Sequence, residues 1–360
     1  MTTRPRTVGI VGLGYGLAHL AGFRAAGCEV VALCQRNEEA ARTIAADHGV
    51  PMVFARWEEM LERARPDIVS IATPPALHLP ILKAAMQGGA HVVCEKPLAM
   101  NKAEAMEMLA VASGSGRAAI TAFNWRYPPS MQRFGEMVRA GWLGRVFHVN
   151  ARWLNGHWAA CDAAATWRMD RSLAGHGAMG DQGVHLIDMV RWLFGDFRRV
   201  IAQSGIAYAS RQAPRGAAAD AEDYCSVTGE LASGAQVAFT VSRVAHGVAE
   251  HSIEAYGSEG ALSLRIGRSG RNWHVGELRI ARPGESFARV EIEPVCEFSA
   301  TADPRKIVGH ATVAPMVREM LAAIERGDTP SPSLEDGMRA QEILDAVRAS
   351  VLSGTWQKIR

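Results

Sequence analysis

Cysteine is scarce and scattered in this chain. The six residues Cys28, Cys34, Cys94, Cys161, Cys225 and Cys296 include no close pair at metal-ligand or redox spacing. That excludes a zinc ribbon or a dithiol centre on spacing and predicts reduced thiols, with Cys28, Cys34 and Cys94 as small core residues in or beside apolar runs. The 12 histidines form no His-Glu-x-x-His pattern and no dense cluster with Asp or Cys, so no metal is expected. Long hydrophobic runs are also missing: no segment reaches the ~18 consecutive apolar residues of a membrane span. The polar stretch Met1 to Thr7 runs directly into a short strand and leaves no room for a signal peptide, so a cytoplasmic protein without a membrane partner is expected. Neither sign of charge dominates. With 39 Lys and Arg against 37 Asp and Glu, spread evenly, there is no footprint for nucleic acid. Repeats and low-complexity tracts are absent.

What is present is enough chain for two domains, since 360 residues exceed a usual single core. From Thr7 to about Phe123, short β-branched runs alternate with amphipathic stretches, the pattern of a doubly wound α/β domain with a parallel sheet. Strands are expected at 8–11, 29–33, 68–72, 91–94 and 119–122, and helices at 17–26, 38–48, 57–64, 78–87 and 102–113. After 123 strands dominate, at 146–153, 200–208, 223–231, 235–244, 251–256, 261–266 and 277–282, with helices near 130–140, 181–194, 313–326 and 334–352. The expectation is a first domain over 1–123 and a second over 124–360, the latter α+β with one large, mainly antiparallel open sheet. A sheet that large needs cover on its second face, which a homodimer or homotetramer provides.

Chemistry-bearing residues gather where strands end. Glu95-Lys96-Pro97 closes the apolar run 90–94. In an open α/β sheet the crevice past the carboxyl end of a strand is where ligands bind, so Lys96 projects into it. The alternative is a surface lysine paired with Glu95. Gly12-Leu13-Gly14-Tyr15-Gly16 follows the first strand and opens the first helix, the context in which glycines let a pyrophosphate approach a helix N-terminus. Gly16 comes one residue before the standard third glycine, so either the turn is tighter or the helix starts differently. Where a dinucleotide site for NAD places a ribose-binding acid, the chain reads Cys34-Gln35-Arg36-Asn37. Arg36 offers a guanidinium for a 2′-phosphate, which favours NADP over NAD as cofactor.

The stretch from Ala174 to Asp188 packs glycines before three polar residues at helical spacing. With a helix beginning near Asp181, Asp181 and His185 stand one turn apart on one face, a sensible arrangement for proton transfer. Asp188 supports His185 or serves as a structural carboxylate, and a capped helix with a core histidine is the competing reading.

The separated motifs resemble, in order and over nearly the whole chain, the Gfo/Idh/MocA oxidoreductases. They comprise the glycine turn, residues 67–75 with His78, Cys94-Glu95-Lys96-Pro97, Phe123-Asn124-Trp125-Arg126, Trp167-Arg168, the Asp181/His185/Asp188 stretch, residues 256–260 and a segment around 330–337. Departures are the shortened glycine turn, Gln35 where many members have Asp, and His176 where glycine is common. The resemblance implies a Rossmann domain and nicotinamide-dependent oxidation of a secondary alcohol on a sugar, polyol or cyclic diol. It implies that Lys96 touches both nicotinamide and the substrate hydroxyl, that His185 is the general base and that Asp181 assists it. Tyr15, Gln35, Thr73, Pro74, His78 and Glu95 are then cofactor-side residues. Asn124, Arg126, Trp167, Arg168 and His176 are substrate-side ones. The same residues suit glycoside processing through a retained NAD. Non-catalytic nucleotide-sensing relatives tend to lose the catalytic residues, which this chain keeps.

Overall fold

The computed structural model describes residues 4–208, 210, 211, 219–270, 272–299 and 301–360. The chain divides into two units, Met1–Tyr127 with Thr301–Met338 and Pro128–Ala300 with Arg339–Arg360.

In the first unit β1 (Thr7–Val11), β2 (Glu29–Cys34), β3 (Met52–Phe54), β4 (Ile68–Ile71), β5 (His91–Cys94) and β6 (Ala119–Thr121) form one sheet in the order β3-β2-β1-β4-β5-β6. Every pairing is parallel. Between them run α1 (Gly16–Ala25), α2 (Glu38–Asp47), α3 (Trp57–Ala64), α4 (His78–Gln87) and α5 (Lys102–Ser115). Asn37 and Asn101 start α2 and α5 by accepting the backbone N–H groups of Ala40 and Glu104 on their side-chain oxygens. Both faces of the sheet are buried. Val11, Val69, Ile71, Val92 and Cys94 enter one core cluster, while Ile10, Ile68, Val93 and Ile120 enter the other with Leu20 and Phe23 of α1. The order reverses between β1 and β4, and the carboxyl ends of those strands carry Gly12 and Thr73.

The second unit opens with α6 (Pro129–Arg139) and β7 (Val146–Asn155), followed by the short α7 (Arg171–Ala174), a π-helical turn over Met179–Gly183 and α8 (Val184–Phe194). Then come β8 (Phe197–Gly205), β9 (Tyr224–Leu231), β10 (Gln236–Ser242), β11 (Ala249–Gly257), β12 (Ala261–Gly267), β13 (Glu277–Ala281) and β14 (Ala288–Val290). The nine-stranded sheet runs β14-β13-β12-β11-β7-β10-β9-β8 and closes with β15 (Gln357–Lys358). All its pairings are antiparallel except β10 with β7. Alternation sorts its two faces: Val149, Ala151 and Trp153 of β7 are buried, whereas His148, Asn150 and Arg152 face outward.

The chain then returns to the first unit through α9 (Pro304–Val308), a π-helical turn over Gly309–Val313 and α10 (Ala314–Arg326). This corrects the expected uninterrupted second domain over 124–360. The physical reason is a close helix contact built from small residues: a Cβ on Gly309 would lie 2.5 Å from the Ala18 carbonyl oxygen, and one on Gly22 would lie 2.5 Å from Val313 Cγ1. Pro304–Arg326 has the length and apolar content of a membrane span, and its Val313, Met316, Val317 and Met320 lie in the core cluster that holds α1. The last helix, α11 (Leu334–Ser353), begins in the first unit and ends in the second.

Candidate active site

The glycine turn lies at the carboxyl end of β1, and each glycine has a separate reason. Gly12 has φ of 91°, donates its N–H to the Cys34 carbonyl at 2.9 Å, and leaves only 2.4 Å between a would-be Cβ and the Ala72 carbonyl oxygen. Around Gly14 a Cβ would meet nothing within 4 Å, so this is the open face of the turn. Gly16 begins α1, and a Cβ there would come 3.1 Å from Ile10 Cγ2. It therefore allows close helix–strand packing one residue early, and the helix starts with it. The N-terminus of α1 has no side-chain cap and no acidic residue in its first turn, which suits an anion. Tyr15 directly precedes α1, and its hydroxyl oxygen accepts the Asn124 Nδ2–H at 3.1 Å.

At the end of β2, the Gln35 backbone N–H donates to the Phe54 carbonyl at 3.1 Å, and Arg36 is exposed. Past β4, Thr73 and Pro74 are half-buried, and the buried Thr73 Oγ1 finds no hydrogen-bond partner among the described residues. An open glycine face, an uncapped helix start and an orphaned hydroxyl at one edge fit a dinucleotide. His78, expected on the cofactor side, is fully buried. Its Nε2 lies 2.9 Å from the Thr73 carbonyl and its Nδ1 3.1 Å from the Leu98 carbonyl, so it ties together the loops past β4 and β5. Burial holds its pKa below the ordinary imidazole range against the pull of those carbonyls.

Lys96 is half-buried, one residue beyond Glu95. The Glu95 carboxylate is buried: one oxygen is 2.9 Å from His19 Nε2, and the other accepts the Lys96 backbone N–H at 3.2 Å. His19 Nδ1 lies 2.7 Å from Ser70 Oγ. A solvated Glu95–Lys96 surface pair is thus not what the fold builds. Asn124 and Arg126, expected on the substrate side, are engaged within the first unit. Asn124 is buried and also donates to Thr312 Oγ1 at 2.6 Å, while Arg126 pairs with Asp336 at 3.3 Å and donates to Ser331 Oγ at 3.2 Å. Both join the end of β6 to the returning C-terminal segment of the same unit.

In the second unit, Asp181 lies inside the π-helical turn and His185 in α8, so the regular helical turn expected between them is replaced by a wider one. Asp181 meets the Arg168 guanidinium at 3.5 Å, and that guanidinium lies 4.5 Å from the centroid of the Trp167 ring. Those three expected site residues are together. His185 and His251 both stack on Trp153, with ring centroids 5.3 Å and 4.3 Å from that of the indole. Burial and the nearby Arg268 hold the His251 pKa well below the ordinary imidazole range. Asp188 is buried in α8. His176 stands elsewhere, with its Nε2 3.5 Å from Gln341 Nε2 and 3.6 Å from Asp345 of α11.

The entry to the π turn is held by Glu222, whose Oε1 accepts the N–H groups of Gly177 at 2.7 Å and Met179 at 3.1 Å. Arg243 is fully buried. It pairs with Asp223 at 2.9 Å and donates to the carbonyls of Arg168 at 3.0 Å and Ala221 at 3.2 Å. His19, Trp153, Glu222 and Arg243 escaped the sequence reading. For His19, Ser70 in the apolar strand 68–71 was the available signal. Among the described residues no group of three His, Cys, Asp or Glu is arranged for a metal ion.

A six-stranded parallel Rossmann-type sheet with this glycine turn is a dinucleotide-binding architecture, here followed along the chain by a large, mainly antiparallel sheet. Comparison with known proteins agrees. Residues 6–123 match the oxidoreductase family with an NAD-binding Rossmann fold, and residues 131–263 match the GFO/IDH/MocA C-terminal domain. The chain belongs to the Gfo/Idh/MocA oxidoreductases and is an enzyme of that family. An uncharacterised oxidoreductase of Synechocystis sp. is 29% identical over 99% of this chain and 97% of its own length. Levoglucosan dehydrogenase of Pseudarthrobacter phenanthrenivorans is 28% identical over 90% of this chain and 88% of its own. Among solved structures, a levoglucosan dehydrogenase in complex with NADH and levoglucosan superposes with a TM-score of 0.89 at 26% identity, covering 99% of this chain and all of that one. An oxidoreductase domain protein from Kribbella flavida gives 0.89 at 28% identity, with 99% and 100% covered.

Proposed function

We propose that the enzyme oxidises a secondary hydroxyl of a sugar, anhydrosugar or related polyol, with Lys96 and His185 serving one reaction. The observation that carries this reading is Lys96 itself, set half-buried past the carboxyl end of β5 on a buried carboxylate. A bound nicotinamide supplies the hydride acceptor. The Lys96 ammonium stabilises the negative charge that grows on the substrate oxygen, and the His185 imidazole takes the hydroxyl proton. Stacking on Trp153 orients that imidazole. Asp181, with Arg168 and Trp167, walls the substrate and assists His185. Relatives named levoglucosan dehydrogenase, D-apiose dehydrogenase and D-glucoside 3-dehydrogenase support a carbohydrate substrate.

Gly12, Gly14 and Gly16 would hold the pyrophosphate, and Thr73 and Pro74 would lie beside the ribose and nicotinamide. Among the described residues Arg36 has no ion-pair partner, which supports NADP as the preferred cofactor over NAD. The outward face of the nine-stranded sheet, polar along β7, is the proposed homodimer or homotetramer contact.

A spectrophotometric screen of sugars, anhydrosugars, inositols and cyclic diols with NAD and NADP tests the reading. Net reduced cofactor with a carbohydrate-like alcohol is expected. Cofactor that copurifies with the enzyme and is never released reduced would point instead to transient oxidation with a retained nucleotide.

A further inference from the structure

Under Lys96 runs a line of buried polar groups that hydride transfer does not itself require. Ser70 interrupts β4, whose Ile68, Val69 and Ile71 are fully buried, and His19 lies on the buried face of α1 between Ala18 and Leu20. Neither Ser70 nor His19 has any accessible surface. The imidazole bridges two units of the line, 2.7 Å from Ser70 Oγ at Nδ1 and 2.9 Å from Glu95 at Nε2. A carboxylate only accepts, so Nε2 carries the shared proton and donates it to Glu95. Tyr15 and Phe23 flank the ring at 5.8 and 6.4 Å, which holds it in that plane. The remaining carboxylate oxygen accepts the Lys96 backbone N–H at 3.2 Å. Three polar side chains in this core are a poor choice for stability alone, because apolar residues of matching shape in place of a buried network are often neutral or stabilising.

We propose that Ser70, His19 and Glu95 are positioning residues for Lys96: the line locks the Glu95 carboxylate under the Lys96 backbone and so fixes the direction in which the ammonium leaves β5. This rests on the role in turnover proposed above for Lys96. A misplacement of about 1 Å in a catalytic group costs on the order of 10²-fold in rate, which sets the scale of the expected effect.

The chain has five lysines, Lys83, Lys96, Lys102, Lys306 and Lys358. Reductive ¹³C-methylation of the whole protein, which preserves their charge, therefore gives a countable set of NMR signals, and Lys96→Arg assigns one of them. In the wild type the Lys96 signal is expected apart from those of the exposed Lys306 and Lys358. His19→Leu should move it toward them, and His19→Gln, which keeps a donor near the Nε2 position, should restore it. NADPH affinity by fluorescence titration should stay within about threefold throughout, while kcat on the substrate found in the screen falls by on the order of 10²-fold in His19→Leu. His19→Leu should cost nothing further in a Lys96→Ala background. Where His19→Leu does not fold, Glu95→Gln keeps the shape, removes the charged acceptor and carries the same expectation. A Lys96 signal unmoved by His19→Leu or Glu95→Gln, or full additivity with Lys96→Ala, overturns the inference. Retained turnover in Lys96→Ala alone would instead overturn the role of Lys96, with the NMR result still reporting whether His19 places it.

Discussion

Arg243→Met should be the most damaging single change in the second unit that leaves every expected catalytic residue in place. Arg243 is fully buried and Asp223 nearly so, and their 2.9 Å contact is accompanied by guanidinium donation to two backbone carbonyls and by packing over the Trp158 ring at 5.4 Å. Methionine fills much of the same space but strands the Asp223 carboxylate, with the Ala207 N–H at 2.9 Å as one remaining donor. Removing one partner of a buried pair costs about 3–5 kcal/mol. For a unit of this size that corresponds to a fall in Tm of about 6–20 °C. Urea and thermal unfolding followed by tryptophan fluorescence measure it. Asp223→Asn combined with Arg243→Met should recover part of the loss, because no charge is then left to desolvate while the Ala207 N–H keeps its acceptor. A single-variant loss under about 1 kcal/mol, or a double variant no better than the single, would mean that the stranded Asp223 charge does not set the cost.

Two glycines of the cofactor unit should separate stability from binding. Gly22→Ala places a methyl 2.5 Å from Val313 Cγ1 and 2.9 Å from the Gly309 carbonyl oxygen, and should cost about 1–3 kcal/mol in a thermal melt. Gly14→Ala meets nothing within 4 Å and should melt like the wild type while binding NADP at least about tenfold more weakly, because its methyl occupies the open face of the turn. Arg36→Ala should weaken NADP far more than NAD in a fluorescence titration, and equal losses would remove the basis for the cofactor preference. Stability should also fall with acid in a defined window. Burial, with Arg268 beside it, holds the pKa of His251 well below its unfolded value, so below pH ~6.5 the unfolded chain takes up a proton that the folded one refuses. The stabilising contribution is complete above pH ~6.5 and declines by up to about 1.4 kcal/mol per pH unit below it. Urea midpoints from pH 7.5 to 5.5 should therefore fall less steeply in His251→Phe.

The doubly wound sheet was legible because its strands are apolar runs bounded by Gly and Pro, and β5, α3 and α4 fall where the spacing places them. Met52–Phe54 was missed as β3 because three residues after Pro51 carry no period. The return of residues 301–338 to the first unit was not legible, since the contact between Gly22 and Gly309 is made by residues with no side chain to announce it. At the site, Lys96 and the glycine turn could be read from their place after strands. Asp181 and His185 could be read as a pair but not as a pair split by a π turn, because backbone hydrogen-bond register leaves no mark on residue spacing. Asn124, Arg126 and His78 have side chains that suit a ligand. Only the folded chain shows those groups engaged with Thr312, Asp336 and the carbonyls of Thr73 and Leu98.

In the proposed reaction the Lys96 ammonium stabilises the charge growing on the substrate oxygen. Lys96→Ala, assayed at saturating cofactor with parallel fluorescence titration of NADPH, tests it most directly. The expected result is a loss of kcat of at least about 10²–10³-fold with cofactor affinity retained. Turnover close to wild type, or a loss explained entirely by weaker cofactor binding, would contradict it.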